Sequence, residues 1–381
     1  MKVIIVGGGG REHALAWKLA QSPEAEEIIC APGNAGTATI GRNVPTSAED
    51  IEGIVTLAKA EGAGLVVIGP EAPLAMGLAD RLEAEGITAF GPKKGAARLE
   101  ASKAFSKELM QEAGIPTAAF GGFENPDEAK SFVRQRGGGW AVKADGLAAG
   151  KGVLICPDPA SAELAISEIM ENRAFGEAGE RCVVEEFLEG EEASLLAFVD
   201  GETAVLMPSA QDHKPIGEGD TGPNTGGMGA YSPAPVMTPE LEARAMREVI
   251  EPTVRALAKL GTPYKGILYA GLMIKDGDFK VLEFNCRFGD PECQPLLMRM
   301  DSDLLPVLIA CATGNLANAV VSFSVEPAAC VVMAAGGYPG DYRKGDVISG
   351  LNEANAIGGA YVFHAGTSED EQGQAATSRG R

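Results

Sequence analysis

The chain is short of aromatic and basic residues. Only 6% of its 381 residues are aromatic, three are histidine, and 32 Lys and Arg stand against 53 Asp and Glu, which gives a net charge of −21. A general nucleic-acid or membrane-surface binder would carry basic patches, so this charge argues against both classes. A phosphate-handling enzyme stays compatible with it, because such a site needs only a few local cations and backbone N–H groups.

The sequence also lacks paired cysteines and long apolar runs. Its seven cysteines are scattered, and Cys286 and Cys293 do not have the CxxC spacing of a zinc site. No stretch reaches the ~18 apolar residues of a membrane span, and the apolar run at residues 3–6 is too short for a signal peptide. We therefore expect a cytoplasmic protein with reduced, mostly buried thiols.

Glycine is abundant, at 50 residues, and the length predicts two to four domains. Strand and helix patterns alternate through residue 92, which predicts an N-terminal doubly wound parallel sheet. Its predicted strands are residues 2–6, 28–31, 65–68 and 87–90, and its predicted helices are 11–21, 51–61 and 74–85. The fold class is therefore α/β in this part and α+β in the remainder, in one multidomain chain.

The remainder is mainly antiparallel in character. We predict strands at 140–143, 153–156, 182–186 and 193–199, a hairpin of 265–274 with 279–284, and helices at 101–113, 160–171, 239–259 and 304–311. Residues 211–235 show no periodicity, and an internal loop of that length is usually functional. Segments 330–336, 346–350 and 360–364 suggest a small third β-rich unit, and 367–381 is predicted to be a frayed, undocked tail.

The most informative segment is the strand end that carries Glu283 and Asn285. Residues two apart on a strand point to the same face, so a carboxylate and a carboxamide lie side by side. Such an oxygen pair suits Mg²⁺ that also binds water and phosphate. Arg287 and Asp290 follow within a turn and could clamp an anionic substrate. The alternative is an ordinary core strand that ends in a polar turn.

A glycine turn at Gly7–Gly10 joins the first strand to the first helix and could present N–H groups to a phosphate. The dinucleotide fingerprint fails here, because Glu12 stands at its sixth position and the second strand ends in Cys30-Ala31-Pro32 without an acid. A monophosphate or sugar-phosphate fits better than a nicotinamide dinucleotide. A tight structural turn remains the alternative.

Two further segments suggest a nucleotide site. Residues 142–153 enclose a glycine-rich loop between Lys143 and Lys151, which could fold over triphosphate oxygens, although it is not a P-loop. Residues 183–192 form an acid-rich strand end that could border an adenine and its ribose. The alternatives are a flexible hairpin with solvated lysines and a solvated acidic face. His213, in the second half of the chain, could act as a base, but a lone histidine is more often structural.

Taken in order, these motifs resemble the glycinamide ribonucleotide synthetases of the ATP-grasp superfamily. The resemblance extends from residue 1 to about 366. Its motifs are GREHALA (10–16), APGNAGT (31–37), GPEAPL (69–74), KADGLAAGKGV (143–153), QDHK (211–214), DTGPNTGGMGAYSPAP (220–235) and EFNCRFGDPE (283–292).

The resemblance implies a role for each matched residue. The implied nucleotide-binding residues are Lys103, Lys143, Gly146, Gly150, Lys151, Gly152, Glu185, Glu186, Phe187, Leu188 and Glu191. The implied catalytic residues are Asp212, Arg287 and Asp290, facing glycine and the forming amide. The implied substrate-binding residues are Gly9, Gly10 and Glu71, together with Asp212 and Arg287, and the implied metal ligands are Glu283 and Asn285.

The implied reaction joins glycine to 5-phosphoribosylamine with ATP and Mg²⁺ or Mn²⁺, through a glycyl phosphate, in purine biosynthesis. The resemblance implies domains at 1–101, 102–326 with a mobile lid lobe near 118–190, and 327–381, the last expected to be truncated and to lack its closing strand. We expect a monomer or weak dimer without nucleic-acid or membrane partners. The alternatives are another ATP-grasp carboxylate–amine ligase, a nicotinamide oxidoreductase and a non-catalytic nucleotide-binding regulator.

Overall fold

The computed structural model describes residues 1–148 and 152–381. Its N-terminal part is built on a five-stranded parallel sheet in which the first strand lies at the centre, between the second and the fourth. The strands, in chain order, are Lys2–Gly7, Glu27–Pro32, Arg42–Asn43, Leu65–Ile68 and Ala89–Phe90. Val3–Val6 are fully buried, as expected for a strand covered on both faces. The predicted doubly wound sheet is confirmed.

The helix predicted at 51–61 is confirmed, whereas the helices predicted at 11–21 and 74–85 have other bounds in the structure. The helices around this sheet are Gly10–Leu19, Ile51–Glu61, Glu71–Met76, Leu78–Ala84 and Lys94–Ala101. The single helix predicted for 74–85 is wrong, because Gly77 adopts a left-handed conformation with φ 97° and divides it. The helix Lys94–Ala101 was missed, and Ser102 separates it from the next helix as an N-cap that accepts from the Phe105 N–H.

The central sheet contains four antiparallel strands. In spatial order they are Ala204–Leu206, Glu191–Asp200, Lys265–Lys275 and Asp278–Asn285. The last two form the predicted hairpin, and Asp276 and Gly277 both have positive φ (52° and 78°), as a type I′ turn requires. The helices that cover this sheet and continue the chain are Lys103–Ala113, Pro239–Ala245, Glu251–Lys259, Cys293–Arg299 and Leu304–Thr313, and a π-helical turn, Met246–Ile250, joins the second to the third.

A second antiparallel sheet, here called the lid sheet, has its own apolar core. Its strands in spatial order are Phe120–Phe123, Cys182–Glu186, Trp140–Ala144 and Val153–Cys156. Helices Pro126–Arg136 and Pro159–Ile166 pack on it, and a π-helical turn, Ser167–Glu171, extends the second helix. The sequence patterns had missed the first strand and the first helix of this lobe.

The segment 211–235 is not the structureless loop that was predicted. It contains the short strands Gln211–Asp212, Pro215–Gly217, Thr221–Asn224 and Gly229–Ser232. The first pairs with the last, which pairs in turn with Ala328–Val331. The alternation of polar and apolar residues could not be recognised in the sequence, because these strands are only two to four residues long and glycine and proline are frequent in the segment.

The C-terminal part differs most from the sequence prediction. Beyond Ala328–Val331 it forms a short helix, Leu351–Asn355, and a hairpin of Thr367–Glu369 with Ala375–Thr377, whereas 346–350 and 360–364 are not strands. The undocked tail is also wrong, since Ala376 is buried and the Arg381 guanidinium donates to the Gly227 carbonyl. Within the described residues, no helix has the length and apolar character to cross a membrane.

Asn34 connects this C-terminal part to the glycine turn. Its side-chain amide donates to the carbonyls of Gly8 (3.1 Å) and His364 (2.8 Å). Its Oδ1 accepts from the N–H groups of Gly36 (2.8 Å) and Thr37 (3.0 Å). Asn34 is 6% exposed, so these groups would be left unpaired and dry without it.

We predict that Asn34→Ala lowers the free energy of unfolding by about 2–3 kcal/mol, because it leaves several buried polar groups without partners. Thermal and urea unfolding measure the change. Asn172→Ala is the matched control, since the exposed Asn172 side chain donates only to Glu168, and we expect a change within about 0.5 kcal/mol. Equal effects of the two substitutions would contradict the importance of the Asn34 contacts.

Candidate active site

The strand Asp278–Asn285 brings the predicted metal pair to one side of the central sheet. Glu283 pairs with Gly271, and a β-bulge between Gly271 and Leu272 leaves Leu282 as the extra residue. Such bulges re-aim side chains, and they are frequent next to active sites. The Asn285 amide oxygen accepts from Arg287 Nη2 at 3.2 Å, which fixes its orientation.

Glu283 is half-buried among cations. Burial raises its pKa, but Lys214, Lys143 and Lys103 more than offset this effect and leave the pKa below its ordinary value. An ionised carboxylate next to a carboxamide oxygen is a hard donor pair that fits a divalent cation such as Mg²⁺. The described residues contain no cluster of three or more His, Cys, Asp or Glu ligands, so a cation here would complete its shell with water and substrate oxygens.

Lys103 and Lys143 reach the same region from different elements. Lys103 begins the helix Lys103–Ala113, and its Nζ donates to the Gly146 carbonyl at 3.2 Å. Lys143 lies on the lid sheet, and its Nζ donates to the Leu282 carbonyl at 3.3 Å. The two lysines predicted for nucleotide phosphates therefore lie near Glu283, although 140 residues separate Lys143 from it in sequence.

The glycine loop is only partly described. Gly150 and Lys151, both predicted to bind nucleotide, lie outside the described residues. Gly146 packs closely, since a Cβ on it would lie 2.7 Å from the Cβ of Ala178, and a Cβ on Gly152 would lie 2.6 Å from that of Ala148. The two described glycines of the motif thus sit where a larger residue would collide.

A cleft of about 470 Å³ opens between the lid sheet and the central sheet. Its lining residues are Gly139, Glu186, Phe187, Leu188, Glu189, Met273, Lys275, Asp276, Asp278, Phe279 and Lys280. Three of the predicted nucleotide-binding residues, Glu186, Phe187 and Leu188, therefore line one cleft, opposite Met273 and Phe279. Glu191 is exposed at the start of its strand. Apolar side chains at both walls, Phe187 on one and Met273 with Phe279 on the other, suit a flat heterocycle.

Glu185 is not at the surface of this cleft. Its side chain is 2% exposed and lies between Lys107 and Lys143, at 2.8 and 2.9 Å. In this structure it therefore contacts the lysines, and contact with adenine or ribose stays a prediction. Lys107 was not recognised in the sequence, because it is one of two lysines on an amphipathic helix and its partner is 78 positions away.

Arg287 lies between two carboxylates. Its Nη2 is 3.0 Å from Glu100 Oε1, and its Nε is 3.4 Å from Glu71 Oε2. Glu71 was predicted and Glu100 was missed. Burial raises the pKa of Glu100, whereas for Glu71 Arg287 and Arg11 outweigh burial and lower it. The Arg11 side chain donates to the Phe288 carbonyl at 3.1 Å, which links the first helix to this segment.

Asp212 belongs to a group rich in carboxylates. Lys214 Nζ lies 2.6 Å from Glu192 Oε2 and 3.8 Å from Asp212 Oδ1. Burial, with Glu292 and Glu192 nearby, raises the pKa of Asp212 to about 7 although Lys214 opposes the shift. The buried Glu292 accepts from Tyr269 at 2.6 Å and from Ser194 at 3.0 Å.

Glu192 and Glu292 were both missed as functional residues. Glu292 ends the EFNCRFGDPE motif, and that position was the only available signal. Glu192 stands in a run of acids, where nothing in the spacing separates a site residue from a solvated one.

The glycine turn and Asp290 form the far end of the site. The Gly9 N–H donates to Glu12 Oε2 at 2.6 Å, and a Cβ on Gly69 would lie 2.1 Å from Glu12 Oε1. The Gly9 amide is therefore already paired with Glu12. Asp290 accepts from Gln294 at 3.1 Å and lies 3.6 Å from Arg381, and a Cβ on Gly9 would come 3.5 Å from its Oδ2. Its contacts place it beside the glycine turn.

Comparison with known proteins gives concordant matches along the chain. The phosphoribosylglycinamide synthetase models match in order: the N domain at residues 1–100, the ATP-grasp (A) domain at 101–293 and the C domain at 328–381. The phosphoribosylamine–glycine ligase of Allochromatium vinosum is 55% identical over 370 residues, covering 96% of this chain and 86% of the relative. That of Vibrio vulnificus is 53% identical over 384 residues, covering 100% and 89%.

Solved structures agree with this. A phosphoribosylamine–glycine ligase from Thermotoga maritima is 35% identical, with a TM-score of 0.88 over 100% of this chain and 90% of that chain. A biotin carboxylase from Campylobacter jejuni gives a TM-score of 0.70 at 18% identity, covering 91% and 79% of the two chains, which is a likeness of fold alone.

We predict that Asp212→Asn stabilises the protein more as pH rises. The folded pKa of Asp212 is raised above its unfolded value near 4, so its ionisation disfavours the fold increasingly from pH 4 to about pH 7 and levels off above. The stability difference between the variant and the unmodified protein should therefore grow in favour of Asn by about 3–4 kcal/mol between pH 4 and pH 8. Urea unfolding at both pH values measures it, and a pH-independent difference would contradict the raised pKa.

Proposed function

The chain belongs to the phosphoribosylglycinamide synthetase family, and we propose how its residues perform the ATP-dependent ligation that this family carries out. It is a phosphoribosylamine–glycine ligase, an enzyme of purine biosynthesis that acts on small-molecule substrates including ATP. The observation that carries the proposal is that Lys143 Nζ donates to the Leu282 carbonyl next to Glu283, while Lys103 Nζ donates to the Gly146 carbonyl of the glycine loop.

In the first step, a glycine carboxylate oxygen attacks the γ-phosphorus of ATP. The bond from that phosphorus to the bridging oxygen breaks, ADP leaves, and glycyl phosphate forms. Lys103 and Lys143 stabilise the charge that spreads over the phosphoryl oxygens. When bound by Glu283 and Asn285, a divalent cation supplies further neutralisation of the phosphates. Because both of these ligands are hard oxygen donors, we assign Mg²⁺ or Mn²⁺.

In the second step, the amine of 5-phosphoribosylamine attacks the carbonyl carbon of glycyl phosphate. The carbon–nitrogen bond forms, the bond to the phosphate oxygen breaks, and inorganic phosphate leaves. The nitrogen must lose a proton, and we assign its transfer to Asp212, whose pKa of about 7 suits a base at neutral pH. Arg287, held by Glu71 and Glu100, is placed to orient the carboxylate or acyl phosphate.

The sugar-phosphate is assigned to the N-terminal domain. Gly9, Gly10 and Glu71 lie where the first helix meets Arg287 and Asp290, so an amine bound there would approach the acyl group from that side. The backbone turn at a helix N-terminus suits a phosphate. Glu12 occupies the Gly9 amide, so the phosphate would bind the neighbouring N–H groups.

Closure of the lid lobe, residues 118–190, would exclude water from glycyl phosphate. We propose the domain boundaries 1–101, 102–326 and 327–381. The family models support the first and last ranges to within one residue at each end, whereas the ATP-grasp match ends earlier, at residue 293. We also propose a cytoplasmic monomer or weak dimer that binds neither nucleic acid nor membrane, which the acidic composition supports.

The direct test is phosphate release from ATP and Mg²⁺. We expect release only with glycine present, and a rise in rate on adding freshly made 5-phosphoribosylamine, with one amide formed per phosphate. A rate of phosphate release that is the same with and without glycine and 5-phosphoribosylamine would refute the ligase assignment. Mass spectrometry of the amide product separates ligation from simple hydrolysis.

We predict that Glu283→Ala lowers kcat by at least about a thousandfold, because both the cation and the lysines lose their shared carboxylate. Stopped assays with all three substrates measure this, and circular dichroism checks the fold. Glu248→Ala is the matched control, because Glu248 is 42% exposed and pairs with Arg244 on a helix. Unchanged turnover in Glu283→Ala would remove the metal assignment.

A further inference from the structure

Lys107, Glu185 and Lys143 form a buried row of charges under the nucleotide cleft. Glu185 Oε2 lies 2.8 Å from Lys107 Nζ, and Glu185 Oε1 lies 2.9 Å from Lys143 Nζ. The side chains are 2%, 2% and 6% exposed for Lys107, Glu185 and Lys143. Burying charged groups costs free energy even when they are paired, and here two ammonium groups share one carboxylate. Packing alone therefore does not explain this row.

Both ends of the row are fixed to the strand that carries Glu283. Lys107 Nζ donates to Thr117 Oγ1 at 2.7 Å, and that hydroxyl donates to the Val281 carbonyl at 2.7 Å. At the other end, Lys143 Nζ donates to the Leu282 carbonyl at 3.3 Å. The two ends of the row are therefore bound to the consecutive carbonyls of Val281 and Leu282. Leu282 is the extra residue of the β-bulge next to Glu283.

The row also joins two lobes. Lys143 and Glu185 are on neighbouring strands of the lid sheet, where Lys143 pairs with Val183, so Glu185 is its diagonal neighbour on the same face. Lys107 belongs to the helix Lys103–Ala113 of the central domain. Lys107 thus reaches across to hold a carboxylate of the lid.

The charge balance decides what Lys107 does. Two ammonium groups share one carboxylate, so the row carries a net charge of +1. Lys143 Nζ forms an ion pair with Glu185 Oε1 at 2.9 Å and donates one proton to the Leu282 carbonyl, so one of its three ammonium protons stays available for a phosphate. Without Lys107, Glu185 would neutralise Lys143 entirely and compete with any phosphate for it.

We propose that Lys107 is a positioning residue for the nucleotide: by sharing the Glu185 carboxylate, it orients Lys143 and leaves that ammonium available to the phosphates of ATP. Lys107 is too deeply buried to touch the nucleotide and acts through Glu185. The inference rests on the proposed nucleotide site, in which Lys143 contacts phosphate.

The test compares ATP with adenosine, which lacks phosphates. In Lys107→Met, which keeps an unbranched side chain and removes the charge, we expect the Kd of ATP with Mg²⁺, measured without glycine, to rise at least about tenfold. The Kd of adenosine should change less than about twofold, and in turnover the KM of ATP should rise while that of glycine does not. Lys18→Met is the matched control. Lys18 is also buried and its ammonium donates to the Met300 carbonyl, but Lys18 lies on the helix Gly10–Leu19 and not on the helix of Lys107. This variant should lose stability without changing the affinity for ATP.

A second variant keeps the test decisive if Lys107→Met does not fold. Thr117→Val preserves every charge and removes the hydroxyl that anchors Lys107, so the Kd of ATP should rise about threefold with adenosine unaffected. Unchanged ATP affinity in the folded variants overturns the inference. Equal weakening of ATP and adenosine also overturns it, because Lys107 would then shape the whole cleft. If the unmodified protein failed to bind ATP, the nucleotide site itself would be refuted, which separates the two failures.

Discussion

The candidate active site depends on the pairing of its cations with carboxylates. Arg287 lies between Glu71 and Glu100, Lys214 lies against Glu192 and Asp212, and Lys107 and Lys143 share Glu185. A chain with net charge −21 can thus build a cationic cleft without leaving bare charges in a low-dielectric interior. The same pairing keeps the long side chains in place before any substrate arrives, so little rearrangement is needed on binding.

The glycine turn is the second constraint, because three parts of the chain meet there. Glu12 accepts from the Gly9 amide, Arg11 reaches the Phe288 carbonyl, and Asn34 connects the turn to His364 of the C-terminal part. Close approach explains the glycines: a side chain at Gly69 or Gly8 would collide with Glu12 or with the Gly33 carbonyl. The proposed sugar-phosphate site therefore depends on contacts between residues as far apart as Asn34 and His364, and not on the first hundred residues alone.

Sequence patterns predicted what depends on local periodicity. The parallel sheet follows from the alternation of strand and helix patterns, and the hairpin follows from the turn at Asp276 and Gly277. The common face of Glu283 and Asn285 follows from their spacing of two on a strand. Lys107, Glu100, Glu192 and Glu292 were missed, because each is a polar residue whose partner lies far away in sequence. The short strands of 211–235 and the docked C-terminal hairpin were not predicted for a related reason. Pairing between separate segments of the chain stabilises them, and local propensity does not.

The contact between the lid lobe and the central domain is ionic next to the active site, where Lys107 pairs with Glu185 and Lys280 pairs with Glu186. The lid encloses its own apolar cluster, with Val133, Trp140 and Val184, while the central sheet packs a separate one. In the closure proposed above, opening of the lid lobe would separate charged groups that water can solvate. Lys143 and Glu185 would move together, since both belong to the lid sheet, whereas Lys107 would remain with the central domain. The proposed position of the lid lobe and the proposed availability of the Lys143 ammonium would therefore depend on the same few contacts.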